Sequence, residues 1–159
     1  MEVMKQFYDV VSLLEIFTDS SKILPTYQRI AQAEIAYRGI NATAQDCLWD
    51  TFDAAFSIAS RGKIGVKEYP LYVKGIRDLR GHIYAENYSP EIAAVRAVRV
   101  MYLAMCLLTG NTYKKVEDAN EMSDKKLMHS ELASLKYLRK VNLEAYSYPI
   151  LLDEILEVR

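Results

Sequence analysis

From Pro90 to about Leu108 the chain runs through PEIAAVRAVRVMYLAMCLL with only Glu91, Arg96 and Arg99 charged. Its start is well specified: Ser89 can cap, Pro90 suits the first helical position, and Glu91 meets the positive end of the helix dipole. Gly110 supplies the stop. A helix apolar on nearly every side must be enclosed by other elements to leave water. This segment is therefore expected to be the central, most buried helix, and the rest of the chain has to supply its neighbours.

The remaining segments repeat the helical period. Val3, Phe7, Val10, Leu14 and Phe17 recur every three or four residues and predict one apolar stripe. After the break TDSSKILP, a second helix is predicted from Pro25 to Arg38, with Tyr27, Ile30 and Tyr37 on one face and Gly39 as its stop. A third opens at TAQD, where Thr43 and Asp46 have the spacing of a capping box, and buries Leu48, Phe52, Ala55 and Ala59 before Gly62. Pro70 begins a fourth, with Val73, Ile76 and Leu79 inward and Gly81 at its end. An amphipathic helix is predicted over 124–141 with Met128, Leu132, Leu135 and Leu138 inward, and a short amphipathic helix closes the chain at YPILLDEILEVR. No stretch alternates with the period of a strand. The 6 Gly and 4 Pro leave little room for long irregular segments. The expectation is a single all-α domain over residues 1–159, a helical bundle of about seven helices.

With 51% hydrophobic and 26% charged residues the composition is that of a globular domain, and 159 residues can bury a self-sufficient core. A net charge of −1 argues against a chain that coats nucleic acid. The charge is uneven, however: residues 63–110 hold seven basic and four acidic side chains, a net of +3, whereas both flanking thirds are acidic. Cys47 and Cys106 lie in apolar helical runs without metal-ligand or redox spacing, and are expected to be buried free thiols of a reducing compartment. The acidic opening MEVMKQFYDVVSLLEIF does not read as a secretory leader, and the uncharged run VMYLAMCLLTG is too short to span a bilayer. A cytoplasmic location without membrane contact is expected.

Glycine-rich phosphate loops, HExxH and the Glu-x-x-His pairs of di-iron bundles are all missing, so neither a cofactor nor a metal is expected. Chemistry concentrates instead in IRDLRGHIYAENYSP, residues 76–90. Arg77, Arg80 and His82 stand within six residues, flanked by Tyr84 and Tyr88, with Tyr72 one turn and more upstream. A guanidinium can hold phosphate and an imidazole can move a proton near neutral pH, which together suffice for metal-free cleavage of RNA by its own 2′-hydroxyl. One such histidine per chain supplies either acid or base, so two copies in a homodimer would supply both. Tyrosine beside arginine is equally the composition of protein-interface hot spots. In the plainest reading, the arginines complement the dipole of a helix C-terminus and His82 caps it.

RDLRGHIY, from Arg77 to Tyr84, resembles the R-x4–6-H motif of the HEPN superfamily, an all-helical group with many RNA-cleaving toxins and defence proteins. The polar Asp78 after the arginine, the aromatic Tyr84 two residues past the histidine and the helix from Ser89 stand in corresponding places. The resemblance implies that Arg77 and His82 are catalytic and that the active site forms across a dimer, with RNA as substrate.

Two functions lead on these grounds, with a bundle enclosing a small hydrophobic ligand, suggested by the Met and Tyr content of the central helix, as a third. The first is a small helical binding protein, such as a regulatory subunit, inhibitor or immunity-type partner, that holds a protein through Tyr72, Arg77, Arg80, His82, Tyr84 and Tyr88. The alternative is the HEPN-like ribonuclease. Arg96 and Arg99, on the most apolar helix, are expected to mark its solvent edge with their stems on apolar neighbours. Pairing with acids of a facing helix, or anion binding together with Arg77 and Arg80, are the other arrangements open to them.

Overall fold

The computed structural model describes residues 2–84 and 86–158. Seven α-helices and two 3₁₀ turns make up the described residues, with no strand among them: α1 Glu2–Ile16, α2 Ile23–Arg38, α3 Ala44–Ala59, α4 Tyr69–Arg80, α5 Pro90–Thr109, α6 Leu138–Val141 and α7 Leu143–Glu157. The 3₁₀ turns, Ala119–Met122 and Ser130–Leu135, lie between α5 and α6.

The central helix forms as its sequence requires. Ser89 accepts the Ile92 N–H at 3.3 Å, and Gly110, at φ 71°, ends the helix with its N–H on the Cys106 carbonyl. Ala93, Ala97, Val98, Met101, Ala104 and Met105 are buried. α3, α7 and α1 all pack against α5, α3 most extensively. By length and apolarity α5 could cross a membrane (mean hydropathy 1.7 over 18 residues), but more than half of that window is covered by the surrounding helices. A stretch longer than the uncharged run alone thus meets the criterion, and the bundle encloses it.

Both arms of the capping box on α3 are present: Thr43 Oγ1 accepts the Asp46 N–H at 3.1 Å, and the Asp46 carboxylate accepts the Thr43 N–H at 2.8 Å. Leu48, Phe52, Ala55 and Ala59 are buried as the period requires. On α1 the inward stripe is Met4, Phe7, Val11 and Leu14, one residue on from the predicted Val3 and Val10. Phe17 lies beyond that helix and is exposed. On α4, Ile76 and Leu79 are buried and Val73 is half-buried.

Three expectations are corrected. The predicted helix over 124–141 is mostly not α-helical. Asp153, on α7, draws in this segment: its carboxylate accepts the N–H groups of Met128 (2.6 Å) and His129 (3.1 Å) and pairs with the His129 ring at 2.7 Å. Those bonds hold His129 in extended backbone. Leu132, Leu135 and Leu138, spaced by three, then stack on one side as a 3₁₀ turn allows, and all are buried. Met128, expected inward, is exposed.

Second, α7 starts five residues before Tyr148, because Asn142 caps it by accepting the Ala145 N–H at 2.8 Å. Pro149 lies inside the helix rather than at its start, and residues 145–150 are buried without interruption. α7 is therefore a second core helix. Third, α2 buries nothing: Ile30 and Tyr37, predicted to face a core, are exposed.

The cysteines also differ from each other. Cys106 is buried, and burial pushes its thiol up to about 11, whereas Cys47 is only half-buried.

Candidate functional site

α4 ends where the sequence places its stop, although not through a left-handed glycine. Gly81 keeps helical dihedrals, and the His82 N–H closes a tight turn on the Leu79 carbonyl at 2.8 Å. The turn projects His82 past the helix axis toward α1. There Lys5, Tyr8, Asp9, Leu79, His82 and Ile83 line an open apolar pocket of about 340 Å³. Lys5 and Asp9 form an exposed i,i+4 pair at 3.1 Å on its rim.

The segment after the turn is pinned at its far end. Tyr88 is buried and meets the Tyr8 ring edge-on, with centroids 5.3 Å apart. Burial pushes the Tyr88 phenol up to about 12. The Arg96 guanidinium stands 5.0 Å from the Tyr8 ring centroid and 2.9 Å from the Glu86 carboxylate. That ion pair is close without being an aligned hydrogen bond, since Glu86 Oε1 has no donor directed at it. Glu86, Arg96, Tyr8 and Tyr88 thus fasten the connection to α1 and α5. Between this cluster and α4, His82 is exposed and Tyr84 is 97% exposed.

Four of the six candidate residues are exposed at one end of α4. Arg77, Arg80, His82 and Tyr84 share the exposed end of α4, and among the described residues neither arginine makes a salt bridge. Tyr72 is not beside them. Five residues at about 100° each carry it about 140° round the helix from Arg77. It lies half-buried on the α3 side, where burial and the nearby Asp50, Glu68 and Asp53 carboxylates raise its phenol above the ordinary range. Tyr88 is a correction of a different kind, because as a buried anchor it cannot present its ring to a partner.

Arg77 and His82 are both accessible, but Arg77 does not line the pocket that His82 enters. An anionic or acidic group could meet both arginines in water, while an apolar side chain could enter beside His82. Sequence reasoning missed the pocket's α1 wall. Lys5, Tyr8 and Asp9 carry no signal beyond an ordinary helical polar face, and only the packing of α1 on α4 places them there.

Arg96 and Arg99 stay partly exposed, at the edge where they were expected, and there they are paired with acids. Arg99 bridges two helices, donating to Glu15 of α1 at 3.0 Å and to Glu144 of α7 at 2.6 Å. Carboxylates thus tie both into the bundle, whereas Arg77 and Arg80 make no salt bridge among the described residues. Among the described residues no three His, Cys, Asp or Glu side chains gather as a metal would need.

Comparison with known proteins gives no match: no family model matches the chain, and no match is found among curated proteins or solved structures.

Proposed function

We propose that this chain is a helical binding protein, of the kind that serves as a regulatory subunit, inhibitor or immunity-type partner, and that it holds an acidic surface of another protein on the end of α4. Arg77 and Arg80 meet the partner's carboxylates, Tyr84 supplies the aromatic anchor, and the pocket beside His82 receives an apolar side chain. One observation carries the reading. Tyr84 is almost wholly exposed a few residues from two arginines that make no salt bridge among the described residues, in a molecule whose Arg96 and Arg99 are both paired. Aromatic and arginine side chains are the usual anchors of protein interfaces.

The test is capture from host-cell extract on the immobilised chain, against a variant with Arg77→Ala, Arg80→Ala and Tyr84→Ala combined. A protein retained by the wild type, lost by the equally folded variant and released by raised salt supports the reading. Identical retention by both chains ends it.

The second reading is the HEPN-like, metal-independent ribonuclease, with Arg77 holding phosphate and His82 moving the proton. Its support is that both side chains are accessible to a phosphodiester. RNA cleavage with EDTA present, lost in an equally folded His82→Ala protein, would move this reading ahead of the first. Absence of cleavage by the wild type would remove it.

A further inference from the structure

α2 is the one long helix without a core side. Every other helix of twelve or more residues buries at least three of them, whereas α2, with sixteen, buries none. One side leans on α3, where the Tyr27 O–H donates to the Ala44 carbonyl at 2.8 Å. A different side carries Ile23, Thr26, Ile30, Ala33 and Tyr37, spaced three, four, three and four residues apart. That is the seam spacing of a two-stranded coiled coil, with isoleucine at two of the positions where β-branched residues in parallel coiled coils favour two strands. Ile30 is 53% exposed and Tyr37 88%. Phe17 flanks the stripe, and with Lys22, Ile23, Thr26, Tyr27 and Ile30 it lines an apolar groove of about 360 Å³.

The charges beside the stripe indicate what fills the groove. Arg29 precedes the Ile30 seam position on one flank, and Glu34 follows the Ala33 position on the other. In a parallel pair these flanks meet across the seam with an offset of five residues, which is the separation of Arg29 from Glu34. Glu34 is held on the exposed surface by its i,i+4 pair with Arg38, at 3.2 Å. In an antiparallel pair each flank faces its own kind, and Arg29 no longer meets Glu34. The seam is therefore complementary to itself in one orientation.

We infer that α2 is a self-association helix: its Ile23/Thr26/Ile30/Ala33/Tyr37 stripe packs in parallel against the same stripe of a second copy, and Arg29 of each copy meets Glu34 of the partner subunit. A seam of two heptads is short beside the standard interface of about 800 Å² per partner, so the association is sought up to high protein concentration. The inference is independent of the binding face on α4.

The experiment is sedimentation equilibrium of the 159-residue chain from about 1 to 300 μM, a range that reaches weak self-association. The wild type is expected to dimerise. Ile30→Glu, at a position too exposed to matter for the monomer's fold, weakens the dimer at least about ten-fold with an unchanged circular dichroism spectrum. Arg29→Glu and Glu34→Arg each weaken it several-fold, and the two combined restore it. Orientation is read from Thr26→Cys in a Cys47→Ser background, because a parallel seam sets the two introduced thiols within disulfide range. A wild type monomeric throughout, a dimer indifferent to Ile30→Glu, or failure of the thiols to cross-link within the dimer would each overturn the inference.

Discussion

Arginine serves two purposes on consecutive helices of this molecule. On α5, Arg99 is held by Glu15 and Glu144, and Arg96 lies between the Tyr8 ring and Glu86. On α4, Arg77 and Arg80 are exposed without a salt bridge among the described residues. Depth explains the contrast. α5 is surrounded, and a guanidinium taken out of water is tolerated only when carboxylates replace its hydration. The last turn of α4 lies in water, where the helix dipole already favours a cation. The arginines of α5 serve the fold, and those of α4 remain available to something outside it.

Substitutions can break or sharpen that distinction. The largest effect is expected at Asp153, a built-in charge of the α5 kind, whose carboxylate anchors the 128–129 backbone to α7. Asp153→Ala leaves two N–H groups and a histidine ring without their acceptor and should cost about 3 kcal/mol in urea unfolding. Burial raises the Asp153 carboxyl, but the Met128 and His129 N–H groups and the His129 ring outweigh it and hold its pKa below the usual carboxylate range. A depressed folded pKa means that this stabilisation is complete above the unfolded pKa and is lost as pH falls through the folded value. Below about pH 4 the wild type should therefore lose stability more steeply than Asp153→Asn. Parallel acid limbs would show that the carboxylate contributes nothing.

Arg99→Ala comes next. It leaves Glu15 and Glu144 facing each other across a vacated site, and about 2 kcal/mol should be lost, less than for a fully buried pair because both carboxylates are partly wet. Arg77→Ala and Arg80→Ala should each change stability by less than about 0.5 kcal/mol. Should either cost as much as Arg99→Ala, the distinction between the two helices fails. The smallest effect on unfolding is expected from Tyr84→Ala, since a ring with 97% of its surface in water loses almost no packing. On partner capture the order should reverse, with Tyr84 and the α4 arginines mattering most.

How much of this was legible in the sequence depended on range. The α3 capping box and the caps of α5 involve groups three or four residues apart, so Thr43, Asp46, Ser89 and Gly110 could be read directly. The helix expected over 124–141 failed because its backbone answers to Asp153, some 25 residues away. α2 misled in another way: its apolar residues signalled a buried face without saying that no other element of the described chain would cover it. Of the candidate site, the grouping of Arg77, Arg80, His82 and Tyr84 was legible because they are near neighbours in the chain. The removal of Tyr88 to the interior was not, since it follows from Tyr8, eighty residues earlier.

The sequence by itself determined the helices with local start and stop signals, the all-α class and the identity of the central helix, because period, caps and charge content act within one or two turns. Only the tertiary structure decided which arginines are neutralised, which tyrosine is buried, where His82 opens onto α1 and which apolar stripe stays uncovered. Those outcomes depend on groups brought within a few ångströms by packing of distant segments, and burial, which sets the cost of a charge or the worth of an apolar side chain, is a property of that packing.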